Sequence, residues 1–148
     1  MTFHQSSRTP FGTWYLVRGR NQPMPARTPR QCDDLFARHL EAGDVDAVVA
    51  LYEPDACLVL EGGRVARGTR AIRKAIATFA AMKPRFEMNV HRIVKAGDGI
   101  AVLYNDWTLS ATGPDGVSFA DRGRAIEVVR RQRNGTWRFT VDDPRARG

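Results

Sequence analysis

Beyond residue 28, apolar residues first recur at helical spacing and later alternate with polar ones, and the change of period comes near Pro84. Thr28-Pro29 supplies a capping hydroxyl and a proline suited to the first helical turn. Leu35, Phe36, His39 and Leu40 then share one side of a helix that runs to about Ala42. Gly43 stops it, Asp44 caps a second helix, and Val45, Val48, Val49, Leu51 and Tyr52 make a short apolar face before Pro54. Ala56 to Leu60, the Gly62-Gly63 turn and Val65-Ala66 predict a hairpin. Gly68-Thr69 opens a third helix with Ile72, Ile76, Phe79 and Ala80 on one face, closed by Lys83-Pro84. From Phe86 onward the period is two: Phe86 to Lys95, Ile100 to Ala111, Val117 to Gln132 and Thr136 to Val141 are strands between glycine-containing turns, and such neighbours pair antiparallel. The pattern predicts an α+β domain in which three N-terminal helices pack in a strongly bent antiparallel sheet.

Residues 1–28 show no period and are broken by Pro10, Pro23 and Pro25, so they read as a basic irregular arm ahead of a domain spanning 29–144, with 145–148 a tail. The arm accounts for most of the net charge of +7. Residues 1–30 hold five arginines and no acid, which leaves 18 basic against 16 acidic residues in the rest of the 148-residue chain. A nearly neutral body does not build the clustered basic face that nucleic acid requires. Two cysteines, Cys32 and Cys57, suggest neither a disulfide scaffold nor a zinc site, and a reducing cytoplasm fits them. The sequence contains no apolar run long enough to cross a membrane, no pair of histidines at metal-ligand spacing, and a Gly62-Gly63 pair without phosphate-loop context. No metal or organic cofactor is expected.

Ala50-Leu51-Tyr52-Glu53-Pro54-Asp55-Ala56, Arg67-Gly68-Thr69-Arg70-Ala71-Ile72 and Gly135-Thr136-Trp137-Arg138, in this order, resemble the SnoaL-like branch of the nuclear-transport-factor-2-like superfamily. Gly97-Asp98, Asn105-Asp106-Trp107 and Asp142-Asp143-Pro144 are similar to a bacterial ketosteroid-isomerase-like subgroup. The resemblance covers about Pro29 to Pro144. It implies a cone-shaped α+β roll, often dimeric through the outer face of its sheet, with a ligand pocket inside. It does not imply one activity, since isomerases, polyketide cyclases, dehydratases, hydrolases and noncatalytic members share the fold.

Turn type sets the register, and register decides which side chains face inward. A three-residue turn at Pro114-Asp115-Gly116 places Leu103 opposite Glu127, Asn105 opposite Ala125 and Trp107 opposite Gly123. The same turn at Arg133-Asn134-Gly135 sets Val129 against Phe139, Glu127 against Val141 and Ala125 against Asp143, whereas a two-residue Asn-Gly turn slides the last strand and brings Asp142 inward instead. With Gly97-Asp98 as a two-residue turn, Val94 meets Ala101 and Met88 meets Trp107. One face then carries Met88, Val90, Val94, Trp107, Phe139 and Val141, interrupted by Arg92, Asn105, Glu127, Arg131 and Asp143. A buried carboxylate requires a partner or a shifted pKa, so Glu127 and Asp143 are candidates for acid-base work unless Arg92 and Arg131 consume them.

Two readings follow. In the first, Asp143 or Glu127 takes a proton alpha to the carbonyl of a small apolar or cyclic compound, without a cofactor. Tyr52, Asn105 or Trp107 hydrogen-bonds the developing enolate, and Met88 and Phe139 supply apolar wall. That is isomerase, cyclase or dehydratase chemistry. In the second, the chain is a noncatalytic ligand-binding or dimerisation module. Either way a homodimer is expected, because Ile93, Val102, Tyr104, Ile126 and Val128 point outward.

Overall fold

The computed structural model describes residues 24–146, so the arm's Trp14 to Val17 lie outside the described residues. Ala26, which the sequence pattern assigns to the arm, is buried and bridges to Trp137, whose N–H donates to its carbonyl at 2.8 Å. Helix α1 (Pro29–Glu41) begins where Thr28 Oγ1 accepts from Gln31 N–H, and Gly43 at φ 72° ends the turn after it. Asp44 caps a short α2 (Val45–Val49). Strand β1 (Tyr52–Val59) starts four residues earlier than the apolar pattern suggests, so Tyr52 is a strand residue and not a helical one. Pro54 is tolerated there because the β1 pairing is irregular between Tyr52 and Cys57, a stretch in which no ladder N–H is required of it. After a single 3-10 turn come β2 (Val65–Arg67) and α3 (Gly68–Ala80), then β3 (Arg85–Ala96), β4 (Ile100–Thr112), β5 (Ser118–Arg131) and β6 (Trp137–Asp143).

This architecture corrects the expected one. The fold is α+β, but its six strands form one open sheet in the order β2-β1-β6-β5-β4-β3, which is neither closed into a cone-shaped roll nor strongly bent. The sheet is mixed and not wholly antiparallel, because β1 pairs parallel with β6, the strand furthest from it in sequence. Nor are the three helices all N-terminal: α3 follows the β1–β2 hairpin. Alternation identifies strands and hairpin turns identify their neighbours, but neither carries information on a pairing between the two ends of the chain.

The β4–β5 register is the expected one: Leu103 faces Glu127, Asn105 faces Ala125 and Trp107 faces Gly123. Met88 also meets Trp107, and Val129 meets Phe139, as expected, and beyond those points two bulges displace the pairing. Between Val128 and Val129 the β5–β6 ladder moves from Val129↔Phe139 to Val128↔Val141, and Glu127 then faces Asp142. The Asn134-Gly135 turn has the expected length, so the bulge and not the turn decides the last strand: Asp142 is buried, Val141 exposed and Asp143 half-buried. On β3 the ladder skips His91, so Ile93 packs on the core, Val94 turns out to face Val102, and Arg92 lies over the outer Tyr104 ring, 5.2 Å from its centroid.

The core joins α1, α2 and α3 to the sheet through Leu40, Val48, Ile72, Leu103, Val129 and Phe139. A smaller cluster surrounds Trp107 with Leu109, Ala111 and Ala125. The indole occupies the space that a side chain at Gly123 would take, since a Cβ there would stand 2.5 Å from Trp107 Cζ2. Gly123→Ala is therefore expected to force the ring aside and cost about 1–3 kcal/mol, the usual range for overpacking; denaturant unfolding that leaves the midpoint unchanged would refute this.

Candidate functional site

A cavity of about 500 Å³ opens between the helices and the sheet. Its walls are mostly apolar, with Phe36 from α1, Leu58 from β1, Ile76 and Phe79 from α3, Met88 from β3, Trp107 from β4 and Phe139 from β6. Of the five acids in the lining, Glu61 and Asp121 are the more exposed, and three are buried: Asp33 from α1, Glu127 from β5 and Asp142 from β6. Their residues are only 1%, 3% and 6% exposed.

The three acids are joined by two polar side chains. Asn105 on β4 donates through Nδ2 to Asp33 Oδ2 at 3.0 Å and to Glu127 Oε1 at 2.7 Å. The Tyr52 hydroxyl donates to Asp142 Oδ2 at 2.5 Å. Neither Asn105 nor Tyr52 is part of the cavity lining, so both stand behind the carboxyls and hold them. Among the described residues no ion pair includes Asp33, Glu127 or Asp142. The arginines that could have neutralised Glu127 are elsewhere: Arg92 lies on the outer face over Tyr104, and Arg131 is exposed at the end of β5.

Burial without a paired cation favours the protonated forms. It pushes Asp33 up to about 7, assisted by the charge of Asp142. Asp142 rises to about 6 through burial, the Tyr52 hydrogen bond holding it back. Glu127 is held well above the ordinary carboxylate range by burial and by Asp33 and Asp142. The Tyr52 phenol is raised by burial and by the adjacent Asp142, so it remains a donor.

The C-terminal strap forms another part of the wall. The Trp107 indole N–H donates to Pro144 O at 2.8 Å, Ala146 N–H donates to Arg124 O, and the Arg145 guanidinium lies over the Trp107 ring while pairing with Asp121 on β5. That hydrogen-bonded pair keeps the Asp121 carboxyl below the ordinary range. Among the described residues no group of three His, Cys, Asp or Glu side chains has the arrangement to hold a metal ion, and no helix is long and apolar enough to cross a membrane.

Of the side chains singled out by sequence, Glu127, Met88, Trp107 and Phe139 line the cavity, and Tyr52 and Asn105 form its polar support. Asp143 does not line it. Its side chain borders a separate cleft beside Val59 to Gly63, and Asp142 takes the inward position. Asp33 escaped the sequence reading altogether. Its signal was helical spacing, since Asp33, Phe36 and Leu40 fall at i, i+3 and i+7 on the stripe that α1 buries.

The sequence matches the model of the SnoaL-like domain over residues 33–146. No curated protein matches it. Among solved structures, it is similar to a ketosteroid isomerase-like protein from Erwinia carotovora atroseptica (15% identity, TM-score 0.70, covering 77% of this chain and 89% of that one). A nuclear-transport-factor-2-like protein with a cystatin-like fold from Novosphingobium aromaticivorans is 16% identical, with a TM-score of 0.65, covering 95% of this chain and 90% of that one. A nuclear transport factor 2-like superfamily protein from Salmonella enterica is 19% identical, with a TM-score of 0.66 and coverage of 79% and 88%. At these identities the likeness establishes the fold alone.

Proposed function

Because the chain belongs to the SnoaL-like domain family, a fold that here forms a small apolar cavity, we propose that it binds a small apolar or cyclic carbonyl compound there and moves a proton alpha to the carbonyl. The observation that carries this reading is the convergence of three uncompensated carboxyl groups on one apolar cavity. Carboxyls whose environments set their pKa values apart divide naturally into base and acid. Asp142, at about 6, is mostly ionised at neutral pH and takes the proton from the alpha carbon. Glu127 keeps its proton and donates a hydrogen bond to the carbonyl oxygen as it gains negative charge. Return of the proton from Asp142 to the same or a neighbouring carbon completes an exchange or an isomerisation, with no electron transfer and no cofactor.

Tyr52 and Asn105 are positioning residues in this scheme. Tyr52 fixes Asp142 and favours its ionised form, while Asn105 sets the spacing of Asp33 and Glu127. The reading is tested by incubating the full chain with a cyclic ketone in D2O and following loss of the alpha-proton signal by NMR. Exchange faster than in buffer alone supports it, and an unchanged rate rejects it.

A homodimer is part of the same proposal. The outer face of β4 and β5 carries Val102, Tyr104, Ile126 and Val128, an apolar patch of the kind that a second copy covers. Light scattering at micromolar concentration is expected to give twice the 16.5 kDa chain mass, and a monomer mass counts against it.

A further inference from the structure

The polar end of the cavity has a surplus of acceptors and too few donors. Asn105 Nδ2 commits its hydrogens to Asp33 Oδ2 and Glu127 Oε1, and Tyr52 commits its hydroxyl to Asp142. Three oxygens, Asp33 Oδ1, Asn105 Oδ1 and Glu127 Oε2, are buried with no hydrogen-bond partner. An orphaned buried oxygen is destabilising, and more so when charged. Glu127 can carry its own proton on the free oxygen, which leaves Asp33 Oδ1 and Asn105 Oδ1 as acceptors in need of a donor.

The charge of the lining points the same way. Among the described residues the cavity is lined by five acids and a single cation, Arg145, which is paired with Asp121. An anionic ligand would meet repulsion at the carboxyl end with no free cation to receive it. Aromatic rings stand beside the same carboxyls. Phe36 is one turn from Asp33 on α1 and packs edge-on to Phe139 at 6.3 Å and to Phe86 at 6.2 Å. A carboxyl group and aromatic rings in one lining provide what an ammonium requires, namely a charge-assisted acceptor together with a quadrupole that attracts cations. A divalent metal is a poorer fit, because the acids lack a metal-holding arrangement.

We propose that the compound held in this cavity carries a protonated amine, seated at the Asp33 carboxyl with the Phe36 and Phe139 rings of the same lining beside it. This rests on the small-molecule cavity described above and narrows its ligand to cationic amines. Glu127 and Asp142 remain outside that contact and free for proton transfer.

The test compares three probes of nearly one shape, benzylamine, benzyl alcohol and benzoate, titrated calorimetrically into the full chain at neutral pH. Benzylamine is expected to bind at least about tenfold more tightly than benzyl alcohol, as a charge-assisted hydrogen bond would give, and benzoate not at all. Asp33→Asn should bring the amine-to-alcohol ratio close to one. Asp33→Glu, which keeps the charge, should retain a ratio above one and separates loss of the carboxylate from a failure to fold. Equal or weaker binding of benzylamine to the native chain, or a ratio that survives Asp33→Asn, overturns the amine assignment while leaving the cavity reading in place. Absence of binding by all three probes overturns both.

Discussion

Asp142→Asn is expected to slow alpha-proton exchange of a bound ketone by about 10²–10⁴-fold, the usual contribution of a general base, without lowering the melting temperature at pH 8. The amide keeps an oxygen to accept from the Tyr52 hydroxyl, so the local geometry survives. Its new N–H2 group enters a cluster whose unpartnered atoms are all acceptors, and one buried charge disappears from beside Glu127 and Asp33. The opposite outcome for stability belongs to a structural ion pair, where loss of one partner strands a buried charge at a cost of about 3–5 kcal/mol. A large fall in melting temperature with exchange unaltered would make Asp142 a structural residue and dismiss the proposed base. Tyr52→Phe separates positioning from chemistry: without the hydroxyl that holds its pKa down, Asp142 ionises at higher pH, and the exchange profile should move to the alkaline side.

Stability is expected to decline by several kcal/mol between pH 4 and pH 8 on account of the same acids. Asp33 ionises near 3.8 when unfolded and about 7 when folded; for Asp142 the two values are 3.8 and about 6. In that window the folded chain holds protons that the unfolded chain has released. The contribution is therefore complete below about pH 4 and is lost as pH rises through 6 and 7. Each pKa unit corresponds to about 1.4 kcal/mol, so even one of these groups has a measurable effect. Asp33→Asn removes its share of the decline. The difference in urea-unfolding free energy between native chain and variant should grow in the variant's favour from pH 5 to pH 8. A difference that stays flat, or changes in favour of the native chain, would mean that Asp33 is neutralised by a partner and not by protonation.

Local chemistry was legible in the chain itself. Thr28-Pro29, Gly43 and Asp44 bound the first two helices because capping and helix termination depend on a few adjacent residues. The Pro114-Asp115-Gly116 turn fixed the β4–β5 register, and with it the inward placement of Glu127 and Trp107, because a hairpin's register follows from its turn. Asp33 was readable in principle from its place on the apolar stripe of α1. The bulges were not: skipping one residue at His91 and one before Val141 depends on how the strands fit the helices beneath them, and each inverts every side chain beyond it. The sequence alone thus determined the element types, their order, and a carboxylate on an inner sheet face. Tertiary structure decided that β1 joins β6 in parallel, that Asp142 and not Asp143 enters the cavity, and that Arg92 turns away from Glu127. These depend on contacts between residues far apart in the chain, where a one-residue change of register reverses the face and local pattern holds no record of it.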